Sequence, residues 1–386
     1  MIYLDWAATA KPEEDLILEA TRESFEYFAN PSAVYACGLA AKERKEKARE
    51  NIATSLGARN DEIFFTSGAT ESMQLILTSL INHPFKNEII VSERSHPSTL
   101  EMARAMKAVG FEVVTIACDA EGFVKASDVE KTMTDKTALV LLPFVDGETG
   151  AIQELTETGA KIKQHKVQGS SPHFHLDAVQ ALGKIPINLN SLPIDSATFS
   201  AHKIGAMRGC GILYVKNEAM QNITPFLLGG GQERGVRGGT ENLQGIISFE
   251  KVLQKVIPCL DEQRKNAKEL MTHLLEGLST IECLHILPSI RETSPCDDRF
   301  SPFIMSFYNH HLRGEVLVRM MSDLQICVSS GSACSSNARK KHTLSLAPSK
   351  YRDNVVRISL GADNTKEEIE SVIRALKDIM GAVVWK

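Results

Sequence analysis

Apolar positions along the first two thirds of the chain follow two alternating patterns, short apolar runs and longer stretches with helical spacing. Glu62–Thr66, Asn87–Val91, Phe111–Ile116 and Ala138–Leu142 read as strands, and Thr70–Ile81 and Ser98–Val109 between them as helices. Ala138–Leu142 is apolar throughout, as expected of a strand covered on both faces. The alternation predicts an α/β domain with a mostly parallel central sheet covered by helices. Two more strands, over His173–Leu176 and Asp195–Phe199, each end in a polar residue, Asp177 and Ser200. Glycines concentrate between Gly229 and Gly239, which predicts a long functional loop. A helix then runs from Leu243 past Val256 until Pro258 interrupts it. Beyond it, a helix over Asp261–Leu278, a short strand set and a final helix over Lys366–Met380 predict a smaller C-terminal α/β domain. The expected division is 15–258 for the large domain, with 1–14 and 259–386 forming the small one. Lys42–Glu50 carries apolar residues at helical spacing and reads as a solvated amphipathic helix.

Composition narrows the classes. A hydrophobic content of 43% and a charged content of 24% over 386 residues are those of a soluble globular protein. The formal charge of -5 leaves no basic footprint for nucleic acid. Eight cysteines without a C-x-x-C pair argue against a disulfide framework or structural zinc and fit a reducing cytoplasm. No signal peptide is evident, and no apolar run approaches the roughly 20 residues of a membrane span. His310 and His311 are adjacent and diverge. His173 and His175 alternate on one strand but have no third ligand at hand, so no metal is expected.

Candidate chemistry gathers at the strand ends. Lys203, in Ser200-Ala201-His202-Lys203, follows Asp177 by 26 positions. Taken singly, these are a surface lysine and a helix-capping aspartate. Together they are the two groups pyridoxal phosphate most needs, an amine for its aldehyde and a carboxylate for its ring nitrogen. Ends of parallel strands are where open α/β sheets bind ligands. Thr66-Ser67-Gly68-Ala69-Thr70-Glu71-Ser72 lies between a strand and a helix, where backbone N–H groups and the helix dipole make an anion cradle. It is not a Walker loop, because no Lys-Ser/Thr closes it. Ser329–Asn337 is a polar loop with one thiol, Cys334, among Ser, Gly and Ala; that setting suits reactivity better than packing. Cys327, in an apolar run, is expected in the core.

With these residues in order, the chain resembles the cysteine desulfurases, the NifS/IscS-like group of fold-type I pyridoxal phosphate enzymes within the class V aminotransferases. The landmarks run nearly end to end: Tyr3-Leu4-Asp5, Asn30-Pro31-Ser32, Thr66–Ser72, His96, Asp177 with Gln180, Ser200–Lys203, Gly229–Thr240, Ser329–Cys334 and Arg357–Gly361. The resemblance implies that Lys203 holds the cofactor covalently, Asp177 pairs its ring nitrogen, Gln180 bonds its phenolic oxygen and His96 stacks on the ring. Ala69, Thr70, Ser200 and His202 would hold its phosphate. Thr240 would reach the phosphate of a neighbouring subunit, implying a homodimer with shared sites. Arg357 and Asn30 would bind the substrate, L-cysteine. Lys203 and His96 would move protons, and Cys334 would take the sulfur as a persulfide for a protein acceptor whose identity the sequence leaves open. Two departures stand out: Gly147 replaces an asparagine usual in the family, and Gly205-Ala206-Met207-Arg208-Gly209 replaces its usual turn after the lysine. Two alternatives remain: a related pyridoxal phosphate enzyme, such as a selenocysteine lyase or a small amino-acid lyase or transaminase, and a non-catalytic sulfur-transfer partner.

Overall fold

A computed structural model gives the conformation of the chain and describes residues 1–82, 86–166, 169–330 and 346–384. Its strands are β1 (Ile2–Tyr3), β2 (Ile63–Thr66), β3 (Glu88–Ser92), β4 (Glu112–Ile116), β5 (Thr137–Pro143) and β6 (His173–Asp177). They continue as β7 (Ser196–Ser200), β8 (Gly211–Val215), β9 (Leu284–Leu287), β10 (Ile304–Asn309), β11 (Ile326–Cys327) and β12 (Val355–Ser359). Seven of them form one sheet in the order β2-β8-β7-β6-β5-β3-β4. The β7-β6-β5-β3-β4 run is parallel, and β8 lies antiparallel to both β7 and β2.

Side-chain alternation explains the uninterrupted apolar runs. Val140 and Leu142 of β5 pack into a core with Phe174, Leu176 and Phe199 on one face of the sheet. Leu139 and Leu141 pack with Phe64, Ile89 and Val91 on the other. A strand between two cores has no face left for polar residues, whereas edge strand β4 exposes Glu112 and Thr115. Helices Ala69–Ser79 and Pro97–Ala105 follow β2 and β3.

A separate core joins the chain's two ends. Leu4 and Ala7 pack with Leu274, Phe307, Ile358 and Leu376. Its sheet is antiparallel, in the order β12-β10-β9. Helices Leu260–Ser279 and Lys366–Val384 contribute to this core, and β1 pairs parallel with β11.

Two sequence expectations change. Lys42–Glu50 does lie in a helix, Ala36–Leu56, but Lys45 and Arg49 are buried. Arg49 holds the Glu233 carboxylate through both terminal nitrogens at 2.7 Å. A charged helical face can thus be buried when the opposite charge arrives from a distant loop, which local spacing does not reveal. Cys327 is half-buried rather than core, because β11 is only two residues long and pairs with the terminal strand.

Candidate active site

The β8 reversal leaves β2, β3, β5, β6 and β7 running the same way, so their C-terminal ends share one side of the sheet. A cavity of about 600 Å³ opens there, lined by residues that leave these strands: Ser67–Thr70, Glu93–Thr99, Val145, Asp177, Val179, Gln180, Ser200, His202 and Lys203. This is the position at which open α/β sheets bind ligands. Ala7, Ala8 and Thr9 enter from the chain's start, and Arg357 from β12.

At one end lies the N-terminus of helix Ala69–Ser79, which no side chain caps. Its free N–H groups, together with Ser200 and His202, make a site for a phosphate. Gly68 adopts φ 153°, a conformation essentially restricted to glycine. A Cβ on Gly211 would lie 2.5 Å from the Gly68 Cα, so two glycines let β8 pass under the cradle. Glu71 braces the turn, accepting the Ser67 N–H at 2.9 Å and pairing with Arg237 at 2.6 Å. Burial and the nearby Lys203, Arg208 and Lys184 push His202 down to about 4, so it is neutral, with its Nδ1 3.0 Å from the Thr9 hydroxyl.

Lys203 sits in a short 3-10 turn after β7. Its Nζ donates to the carbonyls of Ala7 at 2.7 Å and Ala8 at 2.9 Å. Gly205 closes that turn at φ 89°, where a Cβ would lie 2.6 Å from the Lys11 carbonyl oxygen. Opposite, burial raises the Asp177 carboxyl above the usual range, against the pull of His96 and Lys203. Asp177 Oδ1 accepts the Val179 N–H at 3.1 Å. A carboxylate so placed is completed by a cationic ring N–H. His96 caps helix Pro97–Ala105, its Nδ1 accepting the Ser98 N–H at 3.2 Å. Burial lowers its pKa, with Asp177 opposing and Lys203 and Arg357 reinforcing. His96 is therefore neutral near pH 7, with its ring proton on Nε2.

Arg357 donates to the Gly147 carbonyl at 3.0 Å and to Asp5 at 2.9 Å, while its buried Nε has no partner among the described residues. Ser329 pairs with Arg357 backbone to backbone. Cys334 itself lies outside the described residues. At Gly147 a Cβ would meet Gln180 Cγ at an ordinary 3.6 Å, so the position has room for a side chain.

Of the residues singled out in the sequence, Ala69, Thr70, His96, Asp177, Gln180, Ser200, His202, Lys203 and Arg357 meet at this cavity. Asn30 does not; its side chain accepts the Ser32 N–H in an exposed turn. Thr240 is exposed on the glycine-rich loop and does not line this chain's own cavity. His173 and His175 are tied to Ser196 at 2.6 Å each, and His175 also to Thr198 at 3.0 Å. Sequence reading missed Lys184, whose Nζ lies 2.5 Å from Gln180 Oε1, and the carbonyls of Ala7 and Ala8. The four-residue spacing of Gln180 and Lys184 after a strand was the available signal for the lysine.

An uncapped helix end for a phosphate, an amine and a buried carboxylate around one cavity at the strand ends define the class: a fold-type I pyridoxal phosphate enzyme. The chain belongs to the aminotransferase class-V family, whose profile matches residues 2–372. It is 32% identical over 385 residues to the cysteine desulfurase IscS of Clostridium botulinum, covering 98% of this chain and 94% of that protein. Among solved structures, a NifS-like protein superposes with a TM-score of 0.88 at 31% identity, covering 98% of this chain and 99% of the other. SspA in complex with cysteine superposes with a TM-score of 0.79 at 26% identity, covering 95% and 100%.

Proposed function

We propose that this cavity carries out pyridoxal phosphate-dependent removal of sulfur from L-cysteine, giving L-alanine and a persulfide on Cys334. The observation that carries the reading is that Lys203 and Asp177 open onto one cavity beside the uncapped helix end. Bound there, pyridoxal phosphate supplies an aldehyde for the amino group and an electron-withdrawing ring that eases loss of the Cα proton.

This chain's residues do the rest. Ala69, Thr70, Ser200 and His202 hold the phosphate, Asp177 keeps the ring nitrogen protonated, and Gln180 donates to the phenolic oxygen. Lys203 would move the proton at Cα. His96 handles a proton at the substrate thiol. Arg357 binds the substrate carboxylate, its unpartnered Nε giving it a free donor. The Cys334 thiolate attacks the substrate sulfur, so an S–S bond forms and the Cβ–S bond breaks. The substrate's thiol proton ends on Cβ, and alanine plus the Cys334 persulfide account for every atom.

Residues 15–258 act as the cofactor-holding domain and 1–14 with 259–386 as the second, a division favoured by the separate core of the latter. The working unit is a homodimer in which Thr240 reaches the partner's phosphate site. Exposed Phe25, Phe28, Val34, Phe226 and Leu228 favour a protein partner over water. The persulfide passes to a protein acceptor. No helix among the described residues is long and apolar enough to cross a membrane. The cysteines of the described residues are free thiols, which favours a cytoplasmic setting.

The test is incubation with labelled L-cysteine and mass spectrometry of the Cys334 peptide. The expected result is one added sulfur together with alanine release. Lys203→Ala should remove both, by on the order of 10³-fold or more, and undiminished alanine formation in that variant would sink the assignment.

A further inference from the structure

Lys184 is 6% exposed and lies at the end of the turn that follows β6. Among the described residues its ammonium has one hydrogen-bond partner, the neutral Oε1 of Gln180 at 2.5 Å. Burial, with Lys203 and Arg357 adding repulsion, brings its pKa down to about 7. A buried amine without a counter-charge opposes folding, and an apolar side chain of the same length would serve packing better. Its one hydrogen bond among the described residues, with a residue that lines the cavity, points to a role toward that neighbour.

The neighbour's geometry says what that is. A lysine nitrogen held by a carboxamide oxygen fixes which end of the amide is which. Oε1 of Gln180 faces Lys184, and Nε2 donates to the Ala7 carbonyl at 2.8 Å. The same carbonyl accepts Lys203 Nζ at 2.7 Å. One Nε2 hydrogen is thereby used, and Gln180 lines the cavity with the other available. Without Lys184 the orientation of the amide rests on the Ala7 carbonyl alone, an acceptor it shares with Lys203.

We propose that Lys184 is a positioning residue that clamps the Gln180 carboxamide so that an N–H, rather than the carbonyl, faces the phenolic oxygen of the cofactor. This rests on the reading of the cavity as a pyridoxal phosphate site. The clamp costs the fold a buried amine and fixes a donor at the atom whose charge tunes the cofactor.

The test compares wild-type protein, K184M, K184Q, Q180A and the K184M/Q180A double variant, each as apoprotein reconstituted with pyridoxal phosphate. Two quantities are read: cofactor affinity and the pH midpoint of the bound cofactor's visible absorption. Asp177, His96, His202, Lys203, Arg208 and Arg357, the other charged or titratable groups closest to the reading, are unchanged throughout. In K184M the affinity should fall about tenfold, the worth of one hydrogen bond. The midpoint should rise, because the charged form of the phenolic oxygen loses a donor. Q180A should show the same rise, and K184M should add nothing to it. K184Q keeps a donor without the charge and should restore the midpoint. Additive effects of the two substitutions, an unmoved midpoint in K184M, or a K184Q midpoint like that of K184M would each overturn the clamp. If wild-type protein fails to bind pyridoxal phosphate, the cofactor reading itself falls, a result distinct from all of these.

Discussion

Around Glu233 each buried charge has its opposite in contact, whereas beside Gln180 the buried Lys184 and Asp177 contact neutral groups. Glu233 adopts φ 45° in the glycine-rich loop and is buried. It accepts both terminal nitrogens of Arg49 and the Phe65 N–H, all at 2.7 Å. Lys45 lies 3.5 Å away and Arg49 stacks over Phe65. Arg49 holds the Glu233 carboxyl below the ordinary range even though burial opposes it. At the cavity, Lys184 meets an amide and Asp177 a backbone N–H, and Arg357 pairs with Asp5 while its Nε finds no partner among the described residues. Both groups adjoin the same sheet. The first anchors a loop; the second keeps electrostatic demand unsatisfied until a ligand arrives. In these two groups, full pairing accompanies a structural role and incomplete pairing a place in the cavity lining.

The contrast can be broken most forcefully at Arg49. Arg49→Met leaves Glu233 buried without its partner and should lower unfolding free energy by about 3–5 kcal/mol, read from urea denaturation of the apoprotein. A loss below about 1 kcal/mol would mean the pair behaves as a surface ion pair. A middle-sized effect is expected from pH. His175 is buried, and burial with His173 beside it holds its pKa well below 6.5. A histidine with a depressed folded pKa contributes stability that is present above its unfolded value and lost as pH falls. Urea midpoints should therefore decline below about pH 6.5, by up to about 1.4 kcal/mol per unit, and His175→Gln should flatten that slope. An unchanged slope would remove His175 from the set of groups buried neutral. The smallest effect is expected at Lys184. Lys184→Met should change stability by no more than about 1 kcal/mol, since losing a buried amine offsets losing a hydrogen bond. A loss like that of Arg49→Met would move Lys184 into the structural group.

Much of this was legible in the residues. Ala138–Leu142 announced a strand between two cores, and β5 is one, because covering both faces leaves no polar alternation. Asp177 and Ser200 announced strand ends, and both open onto the cavity. The antiparallel course of β8 was not legible, since local pattern carries no strand direction. Arg49 read as solvated because its partner lies 184 positions away, and a long-range pair leaves no periodic trace. Lys184 was hidden for a related reason: one lysine looks the same on the surface and beneath it.

The first residues of the chain do unusual work for so short a stretch. Ile2 and Tyr3 are stitched into the far core through β11, yet the next few carbonyls reach across and hold Lys203 and Gln180. Those residues act as a hinge pin driven through both halves of the molecule. Shortening the chain by eight residues would be no trimming of a loose end; it would take the anchoring carbonyls from the amine and the amide together.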